Sequence, residues 1–379
     1  MFQRNARGSD ADYSGAVRPC PRQGGRQWPW ALLLAGSLTP ALADTIHGDG
    51  FERPLPPLAP VCPQPGGSQA AARIQRTDPN GNPFTEISGI ALSRRQQAEG
   101  APVLWVHNDS GGGPRFAAYR LSGERLLSFR LQAPGVDATD WEDLALGPCG
   151  TRPGDCLYLA NFGNNAARTD APIGTLGRVE LAIYRVPEPV VVGTADNQIV
   201  SEGVEVLRYR YGVGSPTLTA DAEALFVDPT GDLAGGEAGD LYIVSKWNSA
   251  QASFRRVYAF PRALQGTAVA ELPVLELPLS AIPGATHTRA DQSARGGLIA
   301  LGDYLGTRLY TRNRHQTVAQ ALAAGPCRSL GLPAGASEFQ FEALGLSPAG
   351  ELVEISECTS SGNCDAPIHR TILPNGDPP

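Results

Sequence analysis

Five short segments of this 379-residue chain share a pattern that could do chemistry. They run 88–93 (SGIALS), 142–147 (EDLALG), 223–228 (EALFVD), 288–293 (TRADQS) and 342–347 (EALGLS). Each opens on an oxygen-bearing side chain: Ser88, Glu142, Glu223, Thr288 and Glu342. Three carboxylates drawn to one place repel one another and call for a cation. Carboxylate, hydroxyl and water are hard oxygen ligands, which suit Ca²⁺ rather than zinc. The competing expectation is a polar lining that is only solvated and bonded to neighbouring amides.

A second set follows the first. Each segment precedes an apolar run, at 103–107, 157–160, 241–245, 298–301 and 352–356. These runs end on Asn108, Asp109, Asn161, Lys246, Asp303 and Glu357. If each run lies antiparallel to the segment before it, its end meets that segment's start. These residues then ring the same mouth and form a ligand-binding rim. Lys246, Asp109, Asp303 and His107 are the candidates for proton handling. Lys246 is the only lysine in a chain otherwise supplied with arginine. A lysine offers a compact charge or, with a lowered pKa, a neutral amine. An ion pair with Glu223 is its ordinary alternative. His107, in HNDSG, could act as a base oriented by Asp109, provided geometry allows it; otherwise it faces the interior. Ser110 cannot complete a triad with these two, because adjacent strand residues alternate faces.

What must position these residues is a repeat of strands. From residue 86 onward, strand-like runs alternate with Gly, Pro, Asn and Asp clusters. The five segments begin 54, 81, 65 and 54 residues apart. Third runs are expected at 116–121, 181–186, 256–260 and 308–311, and fourth runs at 125–131, 204–211, 272–279 and 327–332. The unit is a four-stranded antiparallel blade, and the expected fold is an all-β, five-bladed β-propeller. The last repeat lacks a fourth run after 367–373, and a strand near 71–76 could supply it and close the ring. A six-bladed ring, with a degenerate blade hidden between 142 and 223, is the alternative, and a pair of β-sandwiches is third.

Two resemblances bear on this pattern. Ser, Glu, Glu, Thr and Glu on successive inner strands resemble the calcium-dependent apyrase family of secreted nucleotidases. That resemblance implies a five-bladed propeller with a central calcium held by Ser88, Glu142, Glu223, Thr288 and Glu342. It is confined to the ring and the blade spacing, and basic side chains that would grip a nucleotide's phosphates are sparse. More broadly, LWVHNDSGG, DWEDLAL, LYLANFGNN, IYRVPEP, DAEALFVDP and LYIVSK resemble a family of uncharacterised secreted bacterial propeller proteins. That family implies the fold and leaves activity unassigned.

The ends of the chain suggest export. Arg22 and Arg26 precede an apolar run over 28–43 that ends in Ala-Leu-Ala, a small-residue cleavage pattern. The run is too short, and too broken by Pro40, to span a membrane. The expected organisation is a signal peptide over 1–43, a Pro/Gly-rich tail over 44–80 and a propeller over 81–379. Cleavage near Ala43 removes five Arg and two Asp, leaving 26 basic against 36 acidic side chains, a formal −10. That balance argues against nucleic acid. It fits a secreted or periplasmic monomer with no membrane span, working on a small molecule or an extracellular partner. Six cysteines remain after cleavage, and an even number after export suggests disulfides. Proximity pairs Cys149 with Cys156 and Cys358 with Cys364, leaving Cys62 for Cys327. Two functions are open: a non-catalytic ligand- or partner-binding propeller with calcium, and a calcium-dependent hydrolase of a phosphoester, ester or lactone.

Overall fold

The computed structural model describes residues 61–75, 84, 86–109, 112–165, 177–193, 195–213, 220–232, 236–246, 254–284, 286–334, 336, 338, 340–357 and 367–374. The chain divides into two units, Met1–Arg53 and Pro54–Pro379. The signal-peptide segment, Ser110, Trp247 and the Cys358/Cys364 pair lie outside the described residues.

The second unit is a five-bladed β-propeller. The chain enters on β1 (Ser68–Arg73). Blade 1 holds β2 (Ile87–Ala98), β3 (Ala101–Asn108), β4 (Arg115–Tyr119) and β5 (Arg125–Leu131). Blade 2 holds β6 (Leu144–Pro148), β7 (Asp155–Asn161), β8 (Leu181–Pro187) and, after a short β9 (Gln198–Val200), β10 (Glu205–Tyr211). Blade 3 holds β11 (Ala222–Val227), β12 (Leu241–Ser245), β13 (Phe254–Phe260) and, after β14 (Ala270–Leu272), β15 (Val274–Pro278). Blade 4 holds β16 (His287–Gln292), β17 (Leu298–Asp303), β18 (Gly306–Thr311) and β19 (Arg328–Leu330), with the helix α1 (Val318–Ala323) before the last strand. Blade 5 is β20 (Phe341–Leu346), β21 (Glu351–Ser356) and β22 (Pro367–Ile372).

Its fourth strand is β1, antiparallel to β22 with Ser68 opposite Thr371 and Arg73 opposite Pro367. One blade thus joins the first and the last described strands. The disulfide Cys62–Cys327 bridges 265 residues beside this closure, and Cys149–Cys156 clips the β6–β7 hairpin. The long interval between the second and third segments holds no sixth blade among the described residues. It supplies β9, which pairs in parallel with the outer edge of β5 in the blade before. Likewise β14 extends blade 2 through β10.

The strands read as near-continuous apolar runs because both faces of every blade are covered. The buried apolar side chains fall into five groups, one per seam. Trp105, Phe116, Phe129, Trp141 and Tyr184 fill the seam between blades 1 and 2. Tyr158, Tyr209, Tyr258 and Phe260 fill the next. Phe226, Tyr310 and the buried side of α1 fill the third, aliphatic groups the fourth, and Phe84 and Tyr119 with aliphatic groups the last. The inner strands β2, β6, β11, β16 and β20 neighbour one another around the axis. Asp143 stitches them from within. Its carboxylate accepts the N–H of Leu225 in blade 3 at 2.7 Å and of Ala290 in blade 4 at 3.3 Å. Asp291 does the same for Leu346 of blade 5 at 2.7 Å.

Candidate metal centre

An ordinary strand residue in a propeller cannot face the axis. Successive side chains point to the two faces of the sheet, and here both faces meet neighbouring blades. The aligned residues escape this rule because they are bulged. The β2–β3 register skips Ser88, β11–β12 skips Glu223, β16–β17 skips Thr288 and β20–β21 skips Glu342. In blade 2, Glu142 and Asp143 both bond across to Ala160, at 2.9 and 3.0 Å. A bulge adds one residue outside the alternation and re-aims its side chain. All five side chains are buried, and Glu342, at 5 % exposure, is the most open.

Around Glu142 the structure gathers a tight group. Oxygens of Asp109, Asp140 and Glu142 all lie within 4.8 Å of one another. Backbone bonds fix each of the three. Asp109 N–H donates to the Glu86 carbonyl at 2.8 Å, and the Asp109 carbonyl accepts Trp141 N–H at 3.2 Å. Asp140 N–H donates to Asn161 Oδ1 at 3.2 Å, and Gly163 N–H to the Asp140 carbonyl at 3.1 Å. Gly163 is part of the arrangement. A Cβ there would stand 2.2 Å from Glu142 Oε1 and 2.6 Å from Asp140 Oδ2, so the carboxylates rest in the space a side chain would fill.

The group sits in a wider acidic field. Burial, then the charges of Asp140, Glu342 and Glu86, push Asp109 up to about 7. Burial, then Asp109, Asp140, Glu342 and Asp221, hold Glu142 well above the usual carboxylate range. Glu357 is driven to about 8 by burial and then by Glu342 and Asp109. Seven carboxylates from four blades therefore feel one another at one end of the channel. Clustered carboxylates of this kind favour a bound cation. The donors are all oxygen, the chemistry of a hard ion. Ser88, at the corresponding place in blade 1, is fully buried and its hydroxyl has no hydrogen-bond partner.

The other residues singled out from the sequence take several places. Lys246 is buried and ion-paired with Glu223, and its ammonium donates to Tyr304 OH at 3.1 Å. Tyr304 in turn donates to Glu342 Oε1 at 2.8 Å. Glu357 accepts from Gln340 Nε2 at 3.2 Å. Asn108 ends β3 opposite Ile87. Thr288 donates to the Phe341 carbonyl of the next blade at 2.7 Å.

Three turn to other work. His107 is fully buried behind β2, edge-on to Trp141 at 5.4 Å, with Nδ1 at 2.8 Å from the Asn108 carbonyl. Burial lowers its pKa, so the ring is neutral in the seam. Asp303 is held by Arg308 at 2.6 Å and by Leu305 N–H at 2.8 Å. It faces His287, whose pKa burial pulls down to about 4. Asn161 donates to Asp137 Oδ1 at 2.6 Å and Tyr184 OH at 2.8 Å, bracing the turn that carries Gly163.

Glu86, Asp140, Asp221 and Tyr304 were not singled out from the sequence. The first three stand two residues before Ser88, Glu142 and Glu223. Extending the repeat alignment by two positions reads E-I-S, D-W-E and D-A-E, which is the signal that marks them. Tyr304 leaves no such mark.

No family model matches the chain, and no curated protein matches it. Among solved structures, the chain is similar to one titled "Structure of Dos1 propeller", at 9% identity and a TM-score of 0.31. The match covers 75% of this chain and 57% of the length of that one.

Proposed function

We propose that this protein is an exported propeller that holds a calcium ion at Asp109, Asp140 and Glu142 and presents it to an extracytoplasmic ligand. The observation that carries the reading is the convergence of three carboxylates from two blades to within 4.8 Å. Burial and mutual repulsion push Asp109, Glu142 and Glu357 towards the protonated form, and a divalent ion bound there would let these carboxylates ionise. The ligand class is a small molecule or an extracellular partner bearing an oxygen able to complete the ion's coordination. Two disulfides support an oxidising destination. No described helix is long and apolar enough to cross a membrane.

Calorimetry on chelator-treated protein tests the metal. One Ca²⁺ is expected per chain, with Glu142→Gln weakening it by about tenfold or more, the loss of ~1.4 kcal/mol or more. If wild-type protein takes up no Ca²⁺, the mouth is a solvated acidic channel.

A hydrolase reading draws on one further observation, the Lys246–Tyr304 pair standing in the same acidic mouth. A calcium-polarised phosphoester, ester or lactone oxygen beside an ammonium is a chemically sound arrangement. Turnover of such substrates, lost in Glu142→Gln, supports it. Binding of a ligand without turnover supports the non-catalytic reading, which the fold leaves equally open.

A further inference from the structure

The seam between blades 3 and 4 closes over a polar cluster of its own. His287 opens β16 and Asp303 ends β17, opposite one another in the ladder. His287 is fully buried and Asp303 nearly so. Asp303 Oδ1 is in use, accepting from Arg308 at 2.6 Å and from Leu305 N–H at 2.8 Å. Asp303 Oδ2 has no hydrogen-bond partner, and neither ring nitrogen of His287 has one. These groups meet beside one glycine. A Cβ on Gly284 would stand 2.2 Å from Asp303 Oδ2 and 3.4 Å from His287 Nε2. Gly284 also has a φ of +119°, which a side chain would strain. Its carbonyl accepts from Arg255 Nε and Nη2 at 3.2 and 2.6 Å, which pins the loop over the pair.

A buried nitrogen and a buried carboxylate oxygen left without partners are costly, and a proton, a metal cation or water could join them. A proton makes the ring an imidazolium, which burial opposes; Asp303 favours it, but Arg255 and Arg308 add to the opposition. A metal cation meets the same two guanidiniums and also needs a bare ring nitrogen. Water meets neither obstacle. It donates to Oδ2 with one hydrogen, and either donates to the ring lone pair or accepts the ring N–H, so it serves both tautomers. We infer that His287 and Asp303 bind one internal water molecule under the Gly284 loop. Internal waters make about three hydrogen bonds. The Tyr310 hydroxyl and Arg308 Nε, both buried and without a partner, are the candidates for the third. The bridge ties the start of β16 to the turn after Asp303, whose Tyr304 donates to Glu342 in the mouth. It goes beyond the calcium reading and does not rest on it.

The test is a crystal structure of the full chain at neutral pH and atomic resolution, with data collected on both sides of the zinc edge. One peak without anomalous signal is expected, about 2.7–3.2 Å from Asp303 Oδ2 and from a His287 ring nitrogen. No peak between the two groups, whether or not they touch, overturns the inference. An anomalous peak at about 2.0–2.2 Å from both, the mark of a metal, overturns it too. In solution, magnetic relaxation dispersion of the water oxygen counts long-lived internal waters. His287→Leu is expected to hold one fewer than wild type, and equal counts overturn the inference. If His287→Leu does not fold, the wild-type crystal decides. None of these outcomes bears on calcium at Asp109, Asp140 and Glu142.

Discussion

Gly163→Ala separates the geometry of the acidic mouth from its charge. The substitution adds one methyl group and removes no ligand. Its Cβ would stand 2.2 Å from Glu142 Oε1 and 2.6 Å from Asp140 Oδ2, where ordinary contact begins at 3.4 Å. Glu142 Oε1 must therefore retreat by about 1.2 Å and Asp140 Oδ2 by about 0.8 Å to reach normal carbon–oxygen contact. Both are ends of side chains, so the fold can yield there at little cost. A calcium ion cannot follow so easily, because its ligands lie at 2.3–2.6 Å, a tolerance of only ~0.3 Å. Two of three carboxylates are displaced by more than that. The expected loss is at least tenfold in Ca²⁺ affinity, or about 1.4 kcal/mol, with the apo thermal midpoint lowered only slightly. Calorimetry and a melting curve on the same preparation measure both. Unchanged Ca²⁺ affinity would refute the claim that the carboxylates over Gly163 hold the ion.

Other consequences follow from the same structure. Glu142, Asp109 and Glu357 have raised pKa values in the folded state, the latter two at about 7 and 8. Their folded form binds more protons than the unfolded chain, so their contribution is full below about pH 4 and is lost as pH rises towards 8. Chelated protein is expected to melt earlier at pH 8 than at pH 5. Saturating Ca²⁺ should remove most of that slope, and a melting series with and without chelator reads it. Between blades 4 and 5, fully buried Arg289 bonds Glu354 at 3.0 Å and the Asp303 carbonyl at 2.7 Å. Arg289→Met leaves Glu354 buried alone and is expected to cost about 3–5 kcal/mol in urea unfolding, with Arg289→Met/Glu354→Gln recovering part of it. Opening Cys62–Cys327, by Cys62→Ser/Cys327→Ser, frees a loop of 265 residues. Chain entropy puts the loss at about 5.6 kcal/mol, visible as a lower denaturant midpoint in the double variant.

The blade count was legible because each blade carries the same segment, and the closing strand because the last repeat was one strand short. Its place was off by three residues, although Pro65-Gly66-Gly67 directly before Ser68 is a turn signal that marks its start. The outer strands β9 and β14 were not legible. Each pairs in parallel with a strand of the preceding blade, and a run's sequence does not name a distant partner. The ring positions were readable as a repeat, but the reason they leave the blade faces was not. Ser88, Glu223, Thr288 and Glu342 are bulged, and a bulge is a matter of register between two strands. Asp303 and Asn161 show the limit from the other side. Both end second strands as the spacing implies, yet Arg308 claims the one and Asp137 with Tyr184 the other. Those partners come from neighbouring turns and strands whose approach only the fold decides.

The proposed function requires a cation at the mouth of the channel. A crystal grown in calcium, with anomalous difference density measured there, tests it most directly. One peak is expected, bonded at about 2.3–2.6 Å to oxygens of Asp109, Asp140 and Glu142. A well-ordered mouth in which only water separates these three carboxylates, at millimolar calcium, would contradict it.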